Sequence, residues 1–151
     1  MRKLWAVSKL LRSKNVTSAP VETGRPLVAV IEDDCAARKA IGRLLRVGNY
    51  EPALFDCAEA FMTRPPQPSP ACVIIDIQLP GLSGLDLQQR MRESGSRVPV
   101  IFTTANRDAA VRENACRQGC WAFFVKPSDG DALLAAVHSA VNRLSGSSEA
   151  S

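Results

Sequence analysis

Four times in this 151-residue chain, a short apolar run leads directly into polar, reactive side chains. Leu27–Ile31 is followed by Glu32, Asp33 and Asp34, and the run Cys72–Ile75 by Asp76. Pro99–Phe102 leads into Thr103 and Thr104, and Ala122–Val125 into Lys126 and Pro127. Ending a buried strand on a carboxylate is costly unless that charge is compensated. Clustered carboxylates repel one another, and a hard divalent cation with oxygen ligands relieves the repulsion. Mg²⁺ suits such a site, because it retains waters and is usually held by one or two carboxylates together with phosphate oxygens. An aspartate beside the ion can act as a nucleophile toward phosphorus, giving an aspartyl phosphate. The ion and Lys126 would neutralise the phosphoryl oxygens, and the Thr104 hydroxyl would hydrogen-bond one of them.

The elements that must gather these residues follow from apolar periodicity. "LVAVI" (27–31) is a continuous apolar run of the kind that suits a parallel sheet covered on both faces. Ala37, Ile41, Leu44 and Leu45 then recur at helical spacing over 36–47, and Gly48-Asn49 closes the helix. The unit repeats as strand 52–55 and a helix from Cys57 that the "RPPQPSP" run (64–70) stops. Strand 72–76 and helix 84–93 come next, then strand 99–104 and helix 107–117, and last strand 122–125 and helix 129–144. Five strand–helix units predict an α/β fold with a parallel sheet, right-handed crossovers and helices on both faces. Sites in such sheets form at the carboxyl ends of the strands, where all four polar clusters fall.

Charge and cysteines bound the alternatives. The net charge is +4, but residues 1–26 hold six basic residues against Glu22 alone, so this leader carries +5 and the remainder −1. A nearly neutral body argues against a nucleic-acid-binding domain. Within the leader, Leu4–Leu11 is a short apolar run broken by Lys9, with no small-residue cleavage site close behind; it reads as a tail or as a short basic amphipathic helix. No apolar run approaches the roughly 20 residues of a membrane span. Five cysteines, an odd number, favour free thiols and a cytoplasmic location, and they read as small, mostly buried apolar residues. Cys116 and Cys120 lack the second ligand pair that a zinc site would need, and His138 is the only histidine. The expected organisation is a basic leader (1–26), one domain (27–144) and a Ser-rich tail (145–151), with no DNA-binding domain after the last helix.

The pieces "VIEDDCAAR", "VIIDIQLPGLSGLDL", "PVIFTTA" and "AFFVKP", in that order, resemble the receiver domain of two-component response regulators. The separations agree with that family: 43 residues from Asp33 to Asp76, 28 on to Thr104 and 22 on to Lys126. The resemblance implies a doubly wound, flavodoxin-like sheet of strand order 2-1-3-4-5. It also implies that Asp76 is the phosphoacceptor, with Mg²⁺ held by Asp33, Asp76, the Gln78 backbone carbonyl and, through water, Glu32. Asp34 leaves the register of the acidic cluster open; Arg38, five residues after Asp33, favours the Glu32/Asp33 pair. Lys126 and Thr104 would contact the phosphoryl group, Thr104 and Phe123 would form the switch, and Lys126-Pro127 would be a cis peptide. The implied activity is phosphoryl transfer from a phosphohistidine, with the receiver catalysing its own phosphorylation and dephosphorylation without being an enzyme in the ordinary sense. The implied partners are a sensor histidine kinase or phosphotransfer protein, a downstream protein target, and a second copy docked through the fourth helix, fifth strand and fifth helix.

Two other readings compete. A phosphohydrolase with an aspartate nucleophile would place a second acid two residues after Asp76, where Gln78 stands, and so would lack its proton donor. A degenerate receiver acting only as a binding module is not favoured by the residues, since the whole set for phosphorylation is present. A nucleotide or flavin binder is disfavoured further by the turn after the first strand, "EDDCA", which has no glycine-rich phosphate cradle.

Overall fold

The computed structural model describes the backbone of residues 24–150 and the side chains through Arg143. The Leu4–Leu11 run and nearly all of the basic leader lie outside the described residues.

Every anticipated strand forms. β1 (Leu27–Ile31), β2 (Glu51–Phe55), β3 (Cys72–Asp76), β4 (Val100–Thr104) and β5 (Ala122–Val125) make one parallel sheet in the order β2-β1-β3-β4-β5. The strands alternate with α1 (Cys35–Val47), α2 (Ala58–Met62), α3 (Gly84–Glu93), α4 (Ala109–Arg117) and α5 (Gly130–Ala150). Chain progress reverses between β1 and β3, the position where sheets of this kind open a crevice at their carboxyl edge.

Strand alternation builds two cores. Ala29, Ile31, Val73, Ile75 and Phe102 face α2, α3 and α4 through Phe61, Leu87 and Ala115. Val28, Val30, Ile74 and Ile101 face α1 and α5 through Leu45, Leu133 and Val137. β3 and β4 are buried along their whole length, as their unbroken apolar runs require.

Three differences from the sequence reading have local causes. Asp108 accepts a hydrogen bond from the Ala110 N–H (3.0 Å) and so caps α4, which starts at Ala109 rather than near Arg107. α5 continues past Leu144 through the Ser-rich segment to Ala150, where no proline removes a backbone donor. The cysteines are all free, but they are not mostly buried: Cys72 is buried, while Cys35 and Cys116 are exposed and Cys57 and Cys120 are intermediate. Burial pushes the Cys72 thiol up to about 12.

Gly84, the first residue of α3, lies against the end of β3. A Cβ there would sit 2.4 Å from the Asp76 carbonyl oxygen and 2.8 Å from the Ile77 Cα, and backbone cannot give way as a side chain can. Gly84→Ala is expected to destabilise the fold by about 3 kcal/mol. Urea denaturation checks this as a lower midpoint at unchanged slope.

Candidate functional site

The carboxyl edge of the sheet brings together residues that are far apart in the chain. Glu32 leaves β1 with its N–H donated to the Phe55 carbonyl (3.0 Å), and it is almost wholly buried at 1% exposure. Asp76, the last residue of β3, is 5% exposed. Asp33 lies at the surface between them, and one carboxylate oxygen from each of Glu32, Asp33 and Asp76 can be chosen so that all lie within 4.8 Å of one another.

Lys126, immediately after β5, compensates this charge. Its Nζ donates to Glu32 Oε1 at 2.5 Å and to Asp76 Oδ2 at 3.0 Å. Both contacts are ion pairs, so one ammonium serves two carboxylates. Burial raises the Glu32 carboxyl above its ordinary value, partly offset by the lysine. Burial by itself would lower the lysine, but its hydrogen bonds to Glu32 and Asp76 outweigh that and hold it above its usual value. The ammonium is therefore charged at neutral pH.

Local capping settles how the acidic run is shared. Asp34 caps α1, accepting the Ala36 N–H at 3.1 Å, and is not in the carboxylate cluster. Its own N–H donates to Glu32 Oε2 (3.1 Å), fixing the buried carboxylate from a second side. Arg38 ties down the same turn by donating to the carbonyls of Glu32 (2.8 Å) and Asp33 (3.4 Å). The Gln78 N–H donates to Asp76 Oδ1 at 3.0 Å, so each oxygen of Asp76 has one donor.

Thr103 and Thr104 end β4 on opposite faces. Thr104 is fully buried on the Phe102 face, and its Oγ1 accepts the Asn106 N–H at 3.0 Å. Phe102 pairs with Phe123 in the β4–β5 register, which places Thr104 diagonal to Phe123 on the same face. Phe123 is half-buried against that core, with the Arg112 guanidinium 5.6 Å from its ring centroid. The Lys126-Pro127 peptide is cis.

One contributor could not be found from sequence. Glu59 of α2 accepts the Leu82 N–H (3.0 Å), which pulls its carboxyl below the ordinary range, and so braces the loop between β3 and α3. Its oxygen would be 2.8 Å from a Cβ at Gly81, whose φ of +74° is a glycine conformation. The tie spans 23 residues and carries no local pattern, whereas Asp34 stands just before a periodic run, a recognisable N-cap position.

A buried aspartate at the end of β3, a three-carboxylate cluster and a lysine bonded to it at the carboxyl edge of a 2-1-3-4-5 sheet have the layout of a receiver. Residues 28–138 match the family described as the response regulator receiver domain, and the chain belongs to that family. It is 34% identical over 116 residues to the transcriptional regulatory protein FixJ of Bradyrhizobium diazoefficiens, covering 77% of this chain and 57% of FixJ. It is 31% identical to the response regulator protein TmoT of Ectopseudomonas mendocina, covering 76% of this chain and 52% of TmoT. The chain thus spans about half the length of the curated relatives it matches. Among solved structures it resembles the response regulator StyR (TM-score 0.74, 31% identity, 83% of this chain and 64% of that one). It shares its fold with the receiver domain of the Francisella response regulator 1452 (TM-score 0.75, 20% identity, 80% and 99% covered). None of the described helices is long and apolar enough to cross a membrane.

Because Asp33 is in the cluster and Asp34 is spent on the helix cap, Asp33→Ala should abolish measurable Mg²⁺ binding. Asp34→Ala should keep it and lose about 1 kcal/mol of stability instead. Titration calorimetry with Mg²⁺ and urea denaturation on the two variants separate these effects.

Proposed function

We propose that this receiver accepts a phosphoryl group from a phosphohistidine onto Asp76 and signals through a protein contact. The observation that carries the reading is the buried Asp76 carboxylate bonded to Lys126 beside Glu32 and Asp33. Three carboxylates within reach of one another, with a backbone carbonyl available at Gln78, fit a hard divalent cation. Asp33, Asp76 and the Gln78 carbonyl would hold Mg²⁺, with Glu32 acting through water; when bound, the ion supplies charge neutralisation for phosphoryl oxygens.

The residues of the chain divide the remaining work. The Gln78 N–H holds Asp76 Oδ1, leaving Oδ2, on the lysine side, to attack phosphorus. The new O–P bond forms as the N–P bond of the phosphohistidine breaks, and the imidazole nitrogen keeps the electron pair and takes up a proton. Lys126 then contacts the phosphoryl group, an arrangement through which the receiver catalyses its own phosphorylation and dephosphorylation. Thr104 reorients its hydroxyl from Asn106 toward the phosphoryl oxygens, and Phe123 turns inward into the space it leaves. This shifts the balance between two states of one fold.

The donor is a sensor histidine kinase or phosphotransfer protein. The altered surface is α4, β5 and α5, where a downstream target or a second copy docks. Residues 27–144 form the signalling unit, and five free thiols suit a cytoplasmic location.

Acetyl phosphate with Mg²⁺ tests the chemistry: intact-mass measurement should show a gain of one phosphoryl group that disappears in Asp76→Asn. No gain in the parent chain would favour a binding module that works without phosphorylation. Lys126→Ala should keep Mg²⁺ binding but lose the phosphorylation-driven conformational response. Amide hydrogen exchange with a beryllofluoride phosphoryl mimic should change protection over residues 104–130. Changes confined to α1 would show that the signal leaves by another face.

A further inference from the structure

We propose that Cys116 and Cys120 form a dithiol oxidation site, which closes to a disulfide when the chain meets a hydroperoxide. The pair lies at the join of α4 and β5, at the opposite end of the parallel strands from Asp76, and its chemistry does not depend on phosphoryl transfer. Cys116 is in the last turn of α4, and Cys120 stands two residues before β5. Gly119 turns the chain between them: its φ of +86° is left-handed, and its N–H donates to the Cys116 carbonyl at 3.0 Å. That reversal brings the two thiols into hydrogen-bonding contact with one another. Cys116 is exposed, whereas Cys120 is half-buried against the core shared by α2, α3 and α4. One thiol is thus open to a small oxidant, and the second lies within reach of it.

Two further observations select oxidation over the other uses of paired thiols. A metal would need more ligands than two. Among the described residues, the only group of three or more His, Cys, Asp or Glu side chains whose ligand atoms converge is Glu32, Asp33 and Asp76, so no third ligand joins the thiols. The second observation is charge. Burial and the neighbouring Cys116 push the Cys120 thiol up, while the Arg112 guanidinium, one turn before Cys116 on the same face of α4, acts in the opposite direction. Cys120 therefore holds its proton and can donate it to a Cys116 thiolate, and a nearby guanidinium favours that thiolate, the form that reacts.

The Cys116 thiolate attacks one oxygen of the hydroperoxide. The S–O bond forms as the O–O bond breaks, and the departing oxygen takes a proton to leave as water or an alcohol. Cys120 then gives up its proton and attacks the sulfenic sulfur of Cys116; the S–S bond forms, the S–O bond breaks, and hydroxide leaves as water. The two thiols together lose two electrons, and the hydroperoxide is reduced. A bond of this kind in a reducing compartment is transient and is reopened by a dithiol reductant. It would tie the end of α4 to the approach of β5, three residues before Phe123, whose ring already lies 5.6 Å from the Arg112 guanidinium.

Peptide mapping tests the assignment, because trypsin cleaves after Arg117, between the two cysteines. The full chain is treated with hydrogen peroxide, alkylated with iodoacetamide and separated on a non-reducing gel, and the monomer band is digested. Peptide 113–117 should appear joined to the peptide that begins at Gln118, with the loss of two hydrogen atoms, and dithiothreitol should separate them. Cys116→Ser and Cys120→Ser should each abolish the joined species. With Cys120→Ser, dimedone should trap a sulfenic acid on Cys116; with Cys116→Ser, Cys120 should stay unlabelled. The proposal is overturned if the joined peptides are absent from the monomer or occur only between two copies, or if dimedone labels Cys120 in Cys116→Ser while leaving Cys116 free in Cys120→Ser.

Discussion

The ammonium of Lys126 holds together a site that would otherwise push itself apart. Glu32 and Asp76 are both nearly inaccessible to water, and burial together with the neighbouring Asp76 opposes the ionisation of Glu32. One lysine hydrogen-bonded to both lets the carboxyl edge carry negative charge without opening. Neighbouring strands are about 4.8 Å apart, so β5 lies about 10 Å from β3 with β4 between them. Only a long, flexible side chain on the turn after β5 can span that distance. The strand order and the residue type are therefore parts of one solution.

Around that pair, backbone groups fix what side chains alone would leave loose. Asp76 is gripped by the Gln78 N–H, and Glu32 by the N–H of Asp34. The loop that carries Gln78 is braced from α2 by Glu59, and its return into α3 requires Gly84 to lie against the Asp76 carbonyl. The strand end that carries Asp76 is thus held from several independent elements. Such bracing is what the proposed phosphoryl transfer would require, because little of its barrier can be lowered except by positioning and charge.

The molecule is also electrically divided along the strand direction. Carboxylates gather at the carboxyl ends of β1 and β3, and guanidinium groups gather near the amino ends of β4 and β5. The near-zero charge of the body conceals this division, since the overall excess of +4 comes from the leader. Net charge is therefore a poor guide to what this surface attracts, and the local clusters are a better one.

Sequence alone determined the element order, because buried parallel strands are unbroken apolar runs and the intervening helices repeat apolar residues every three or four positions. It also fixed the edge on which Glu32, Asp76, Thr104 and Lys126 fall, since every strand of a parallel sheet ends on the same side. What it left open was decided by contacts between distant segments. The choice between Asp33 and Asp34 as the second member of the acidic pair was ambiguous in one dimension; Asp34 is the residue whose carboxylate meets the free N–H groups of α1. The brace from Glu59, the fit of Gly84 and the partnerless oxygen of Gln88 each depend on residues that meet only when helices pack on the sheet. Periodicity records which face of an element is buried, but it carries no information about which polar atom on another element waits there.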